Sequence, residues 1–189
     1  MKRKATAIIL GILLIGIVSA GLVAYLSNMI SGTVQVSGPV FYASAEHPLG
    51  GDTYWALGIN DYISRTEPVS FTGPDNKFFV SEKLGIESFY AANYEINIEA
   101  ESDNGGGQID AEIYFIEGNN PYNRKLDVCS GSTTTPVYGK SIYEINCQAE
   151  ELTNIDPEWR LVLKLSDGLN DIHYNVYING NSKFEVSPI

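Results

Sequence analysis

From Tyr94 onward the chain repeatedly sets apolar side chains two residues apart, and this period is the strongest constraint on its fold. Tyr94, Ile96, Ile98 and Ala100 share one face while Glu95, Asn97 and Glu99 take the other. Ile109, Ala111, Ile113 and Phe115 repeat the pattern against Asp110, Glu112 and Tyr114. Alternate residues of a strand point to the same side, so each run reads as a strand with one buried face. The segment Glu101-Ser102-Asp103-Asn104-Gly105-Gly106-Gly107 between them is rich in turn formers, which predicts a hairpin with a long loop. A second hairpin is predicted from Trp159, Leu161, Leu163 and Leu165 to Ile172, Tyr174, Val176 and Ile178, across Ser166-Asp167-Gly168-Leu169-Asn170. Phe184 and Val186 follow Asn179-Gly180-Asn181, where Asn-Gly supplies the positive φ angles of a tight turn.

Upstream, Thr33 to Ser37, Val40 to Ala43, Thr53 to Ile59, Val69 to Thr72 and Phe78 to Ser81 read as further short strands. A turn or two of helix fits only at Ser81 to Phe89 and Gln148 to Thr153. About eight to ten short strands separated by Gly, Pro, Asn and Asp clusters predict an all-β fold, a two-sheet sandwich of jelly-roll or immunoglobulin-like type. The cysteine spacing does not follow the immunoglobulin Cys…Trp…Cys order, which favours the jelly roll.

The N-terminus carries different information. Lys2, Arg3 and Lys4 precede an uncharged run from Ala5 to Leu26 dominated by Ile, Leu, Val, Ala and Gly. At about 1.5 Å rise per residue, this run makes roughly 33 Å of helix, enough for a bilayer core of about 30 Å. Residues 1–26 therefore read as one hydrophobic helix, a signal peptide or a membrane anchor, and residues 27–189 as one exported β-sandwich domain. Val18-Ser19-Ala20 and Leu22-Val23-Ala24 place Ala20 or Ala24 before a signal-peptidase cut. In both cases the positive-inside rule keeps the basic tip in the cytoplasm and everything after Leu26 outside.

The 12 Lys+Arg and 23 Asp+Glu give a net charge of −11. Without the basic tip, nine Lys and Arg face all 23 acids, a balance of −14. A phosphate-backbone reader needs clustered Lys and Arg, so nucleic acid is excluded as a partner. Cys129 and Cys147 are the two cysteines of an exported domain, which predicts a disulfide against the alternative of two buried thiols.

Catalytic motifs are missing: there is no HExxH, GxSxG or P-loop, and no GxGxxG that opens a helix. His47, in a turn, and His173, on the polar side of a strand, read as solvated side chains. Glu95 and Glu99 on one strand and Asp110 and Glu112 on the next would converge on one sheet surface if the first hairpin forms. An outer strand face is not the cleft that a carboxylate pair needs for glycoside hydrolysis, so a hydrated surface is the expectation. No cofactor is expected; Asp103 and Asp110 leave a weak calcium signal in the acidic loops, with no assigned metal ligands. Among 12 Tyr, the outward Tyr114, Tyr143 and Tyr177 are those that would stack on a sugar or a partner protein.

The segment Leu22-Val-Ala-Tyr-Leu-Ser-Asn-Met-Ile-Ser-Gly-Thr-Val-Gln-Val-Ser-Gly-Pro-Val40 resembles the start of TasA/camelysin-type exported β proteins, including archaeal bundling pilins. There a hydrophobic signal runs through a short aromatic-Asn segment into a Thr/Val first strand. The resemblance implies a jelly-roll-like sandwich and, in filament-forming members, a donor strand from one subunit that completes a sheet of the next. On this chain it implies a donor between Tyr25 and Val36, with Tyr25, Leu26, Met29, Ile30, Val34 and Val36 as the inserting residues and a break in alternation at Met29-Ile30. The function implied is an extracellular structural subunit of a cell-surface filament, pilus or biofilm matrix, a head-to-tail homopolymer without enzymatic activity. Some relatives are classed as metallopeptidases, and no metal-ligand motif supports that here. The alternative is a membrane-anchored surface module that binds glycan or another surface protein. Cleavage after Ala20 or Ala24 separates the two, because an uncut helix keeps the donor at the membrane.

Overall fold

The computed structural model describes residues 38–46, 54–72, 75–89, 91–102, 107–135, 139–168 and 172–188, all within the unit Ser37–Ile189. Among them are 13 strands and no helix. The strands β1 (Val40–Ser44), β2 (Trp55–Ile59), β3 (Val69–Thr72) and β4 (Lys77–Lys83) fall where the sequence predicts them. The remaining strands are β5 (Ser88–Phe89), β6 (Ala92–Ser102), β7 (Gly107–Ile116), β8 (Arg124–Thr135), β9 (Gly139–Ala149), β10 (Leu152–Thr153), β11 (Arg160–Asp167), β12 (His173–Val176) and β13 (Lys183–Pro188). The predicted helix over 1–26, Ala20 and Ala24, the strand at Thr33 to Ser37, and the donor residues Tyr25, Leu26, Met29, Ile30, Val34 and Val36 lie outside the described residues.

Eleven strands form one mixed sheet in the order β3-β12-β6-β13-β1-β2-β4-β11-β7-β8, with β9 along the other edge of β6. Among the described residues only the β2/β4 pairing is parallel. Neither predicted hairpin exists. β6 pairs with β9, β12 and β13, and β7 with β8 and β11. β11 pairs with β4 and β7, whereas β12 pairs with β3 and β6. Alternation shows which face of a strand is buried and carries no information about the strand beside it. The inward residues of β6 and β7 meet across one core instead: Tyr94, Ile96, Ile98, Ile109, Ile113 and Phe115 are all fully buried.

Phe89 records how far the sheet bends. Its ring centroid lies 6.4 Å from Phe41 on β1, 6.0 Å from Tyr94 on β6 and 5.5 Å from Phe115 on β7. β6 and β7 stand far apart in the strand order, so one ring touches both only because the sheet folds back on itself. The two segments that suited helix are extended. Ser88-Phe89 and Leu152-Thr153 pair as β5 and β10, a two-stranded ladder that satisfies their backbone while Phe89 enters the core.

The outer strands β8 and β9 carry no ladder between them among the described residues. They are joined by the Cys129–Cys147 disulfide, with Cα atoms 5.8 Å apart, as the sequence predicts. Gly131 permits their approach, because a Cβ there would sit 2.7 Å from Ile145 Cγ2. On the sheet's other face Phe78, Val80, Tyr114, Ile116 and Val162 form a second apolar cluster. Glu112, beside it on β7, ties three strands: its carboxylate lies 2.5 Å from Lys164 Nζ on β11 and 2.6 Å from Arg124 Nη1 on β8.

β12 and β13 run along one edge of β6, with Val176 opposite Ala100 and Lys183 opposite Asn97. Residues 177–182 therefore face only Ile98 and Glu99, and the tight turn predicted at Asn179-Gly180 is part of a wide bulge, with Gly180 at φ 86°. Glu99 organises it. Its backbone oxygen accepts from Tyr177 N (2.9 Å), and its backbone N donates to Ser182 Oγ (3.1 Å), which in turn donates to Tyr177 O (2.7 Å). Its carboxylate accepts from Asn179 Nδ2 and Asn181 Nδ2, both at 2.7 Å, and pairs with Lys140 Nζ at 2.6 Å. The expectation of a solvated Glu99 is thus corrected: the residue is only 8% exposed.

Three measurements test this account. Phe89→Ala empties the point where distant strands meet, and urea denaturation is expected to show a loss of about 3–5 kcal/mol. Cys129→Ser with Cys147→Ser removes the link between the outer strands, with an expected loss of about 3 kcal/mol in the same assay. For Glu112, burial raises the carboxyl's pKa, but hydrogen bonds and charge from Lys164 and Arg124 outweigh this and hold it below the ordinary glutamate range. Its contribution is therefore complete above the unfolded-state pKa and is lost as the pH falls through the depressed folded value. Glu112→Gln is expected to cost about 1 kcal/mol at neutral pH, discounted for partial exposure, and thermal melts of variant and parent should converge in acid.

Candidate binding groove

The β2/β4 ladder is short. Trp55, Ala56 and Leu57 pair with Phe79, Val80 and Ser81, and there the parallel pairing stops. β2 continues to Ile59 on β1 alone, with Phe41 opposite Ile59. Asn60, at φ 56°, ends the strand; its N donates to Val40 O (2.8 Å) and its Oδ1 accepts from Val40 N (3.0 Å). The chain then crosses the end of β1, where Ile63 N donates to Ser44 Oγ (2.9 Å) and Ala45 N donates to Ile63 O (2.9 Å). Tyr62 stacks on Tyr42 at 5.3 Å, and its hydroxyl donates to Asn179 O in the bulge at 3.3 Å.

These contacts frame an open groove of about 900 Å³ between the separating strands. Ala56, Leu57, Ile59, Tyr62, Ile63 and Val80 supply its apolar lining. Ile59 is 44% exposed, Tyr62 37% and Ile63 53%, so three of the five exposed large hydrophobics among the described residues collect here. Clustering of this kind marks an interaction surface, whereas single exposed residues such as Tyr122 and Ile142 are ordinary. Glu46, Asp61, Glu82 and Lys83 form the rim, and Lys83 is paired with Glu158. The groove combines an interrupted ladder with apolar side chains, which suits an extended peptide rather than a small polar substrate.

The sequence-derived candidates end elsewhere. The carboxylates do not converge, because β6 and β7 are not neighbours. Glu95 accepts from Asn97 Nδ2 (3.0 Å), and Asp110 accepts from Gln108 Nε2 (2.7 Å). Asp110 and Glu112 border a shallow depression of about 430 Å³ with Ser130 and Ser132, where two cations already neutralise Glu112. Among the described residues no group of three or more His, Cys, Asp and Glu is placed to hold a metal ion. His47 and Asp103 lie outside them, and His173 is half-buried on β12.

Two of the three suspected tyrosines are core residues. Tyr114 is 2% exposed beneath loop 117–123, where its hydroxyl donates to Pro121 O (2.9 Å), and Arg124 lies 4.4 Å from its ring centroid. Burial raises the pKa of this phenol far above its ordinary value. Tyr143 is 1% exposed and meets Tyr174 edge-on at 6.0 Å. Tyr177 is half-buried and donates to Glu101 Oε2 (2.8 Å), a bond that raises its pKa first, with burial second. The groove itself was missed: Ile59 reads as the end of a strand and Ile63 as a single apolar residue beyond it, and nothing in their order shows that both stay exposed on one surface.

No family model matches the chain, and no curated protein matches it in sequence. Solved structures resemble it in fold. Two crystal structures of a CocE/NonD family hydrolase from Staphylococcus aureus align with 84% and 79% of the chain at TM-scores of 0.59 and identities of 10% and 11%. An aminopeptidase from a marine sediment Thaumarchaeota archaeon aligns with 59% at a TM-score of 0.46 and 11% identity. The chain spans 38%, 36% and 25% of those three structures in turn, so each likeness is to one part of a longer protein. At these identities, the likeness to the CocE/NonD hydrolase concerns the fold alone.

Proposed function

We propose that this protein is an extracellular structural subunit of a cell-surface filament or biofilm matrix. In this reading the exported domain is a jelly-roll-like two-sheet sandwich without enzymatic activity. The N-terminal segment of one copy lies in the β2/β4 groove of the next, and the repeated contact builds a head-to-tail homopolymer. The observation that carries the reading is the groove, where a ladder stops after Leu57 and Ser81 beside exposed Ile59 and Ile63. An added strand would extend the ladder beyond that point and cover those side chains. The segment Tyr25 to Val36 holds no charged residue, in keeping with an apolar lining and an acidic rim. A contact between two different parts of the chain repeats from copy to copy, and builds a fibre when its rotation does not close. A glycan-binding module finds less support, because Tyr114 and Tyr143 are buried.

The test is electron microscopy of the cell-surface fraction from a host that exports the full chain. Ile59→Asp with Ile63→Asp, and deletion of 25–36, are expected to abolish filaments, whereas Ile142→Asp on the exposed face of β9 leaves them intact. Filaments that survive the double substitution, or a parent protein that stays monomeric, would overturn the reading.

A further inference from the structure

The Glu99 cluster brings reactive groups together. Lys140 Nζ from β9 lies 2.6 Å from Glu99 Oε1 and 3.9 Å from the centroid of the Tyr177 ring. On the other side of the same carboxylate, Asn179 Nδ2 donates to Oε2 at 2.7 Å. Asn179 Oδ1 in turn accepts the backbone N–H of Asn181 at 3.2 Å. An amine at the surface and a carboxamide held at both its oxygen and its nitrogen thus meet on one largely buried carboxylate. Burial raises the Glu99 pKa, but hydrogen bonds from Lys140, Asn181 and Asn179, with the charge of Lys140, outweigh it and hold the group below the ordinary glutamate range. Glu99 is therefore ionised at rest, and a proton that it takes up is readily passed on.

We propose that Lys140 and Asn179 form an intramolecular isopeptide bond with Glu99 as the proton carrier. Glu99 takes one proton from the Lys140 ammonium, and the free amine attacks Asn179 Cγ. The charge that develops on Oδ1 is met by the Asn181 N–H, a donor already in place. The Nζ–Cγ bond forms, the Cγ–Nδ2 bond breaks, and Glu99 passes its proton to the departing nitrogen. Nζ gives up a second proton, so nitrogen leaves as ammonium and Glu99 returns to the carboxylate. No oxidant or second substrate enters. Holding the amine and the carboxamide on one carboxylate makes a slow amide exchange intramolecular. The product fastens β9 to the bulge, so β9 carries a covalent tie near each end: this one and Cys129–Cys147. The proposal is independent of the groove.

The experiment is mass spectrometry of the full chain, purified from an exporting host and reduced. The parent is expected to lack one ammonia, about 17 Da. Trypsin does not cut after an acylated lysine, so the digest should contain residues 126–160 joined to residues 165–183 in place of the free peptides. Lys140→Arg keeps a cation for Glu99 but offers no neutral amine, and should restore the full mass while circular dichroism stays that of a β fold. Asn181→Ala should keep the branched peptide. A full mass in the folded parent overturns the proposal. So does a deficit that persists in Lys140→Arg without a branched peptide, which would be a succinimide at Asn179-Gly180. A branch mapped to Asn181 overturns the choice of Asn179.

Discussion

A carboxylate set in the middle of a buried strand must have its lone pairs met, or the strand cannot stay where it is. Glu99 meets that condition with donors from the 177–182 bulge and from β9. The bulge in turn sets the register of β13. Val176 opposes Ala100, and Lys183 opposes Asn97, so the pairing jumps by four positions. An even jump leaves Phe184 and Val186 on the inward face while it changes their neighbours. β13 holds β1, and β1 holds β2. The groove thus depends on a charge that it never touches, and Asn179 links the two, its backbone oxygen accepting from the Tyr62 hydroxyl and its side chain donating to Glu99.

The continuous ladder passes from one half of the sheet to the other through a single narrow place, the three parallel pairs of β2 and β4. Parallel pairing is slightly weaker per residue than antiparallel pairing. The halves are held mainly by what lies between them: Phe89 against Phe41, Tyr94 and Phe115, and the disulfide at the outer strands. A seam with few hydrogen bonds between two well-packed halves is a natural place for a groove, because little has to be broken to expose it.

Strand identity was legible in the sequence to the extent that burial was one-sided. Tyr94 to Ala100 and Ile109 to Phe115 show their buried face in every second residue. Their partners were not legible, since pairing depends on the whole path of the chain, and a Gly-rich link serves a crossing as well as a hairpin. β9 carried the same signal in Tyr143, Ile145, Cys147 and Ala149 against Glu144, Asn146 and Gln148, but its buried tyrosine suggested an outward ring. β8 was hidden by its Ser-Gly-Ser-Thr-Thr-Thr run, which resembles a loop. The Cys129–Cys147 pair was readable because only two cysteines exist. Neither the groove nor the Glu99 cluster has a linear signature; both are assembled from β1, β2, β4, β6, β9 and the bulge.

One adjacency fixes the order of events in this chain's biosynthesis. β1 is paired on one side by β13, through Val40 with Glu185 and Tyr42 with Lys183. The first described strand therefore waits, half-bonded, until Lys183–Pro188 has been synthesised. If the chain crosses a membrane from its N-terminus, β1 emerges well before its partner, with Phe41 and Ala43 still uncovered. Closure of that edge is then a late step that waits for β13. Until it happens, the waiting strand edge is open to the wrong neighbour, another nascent copy included.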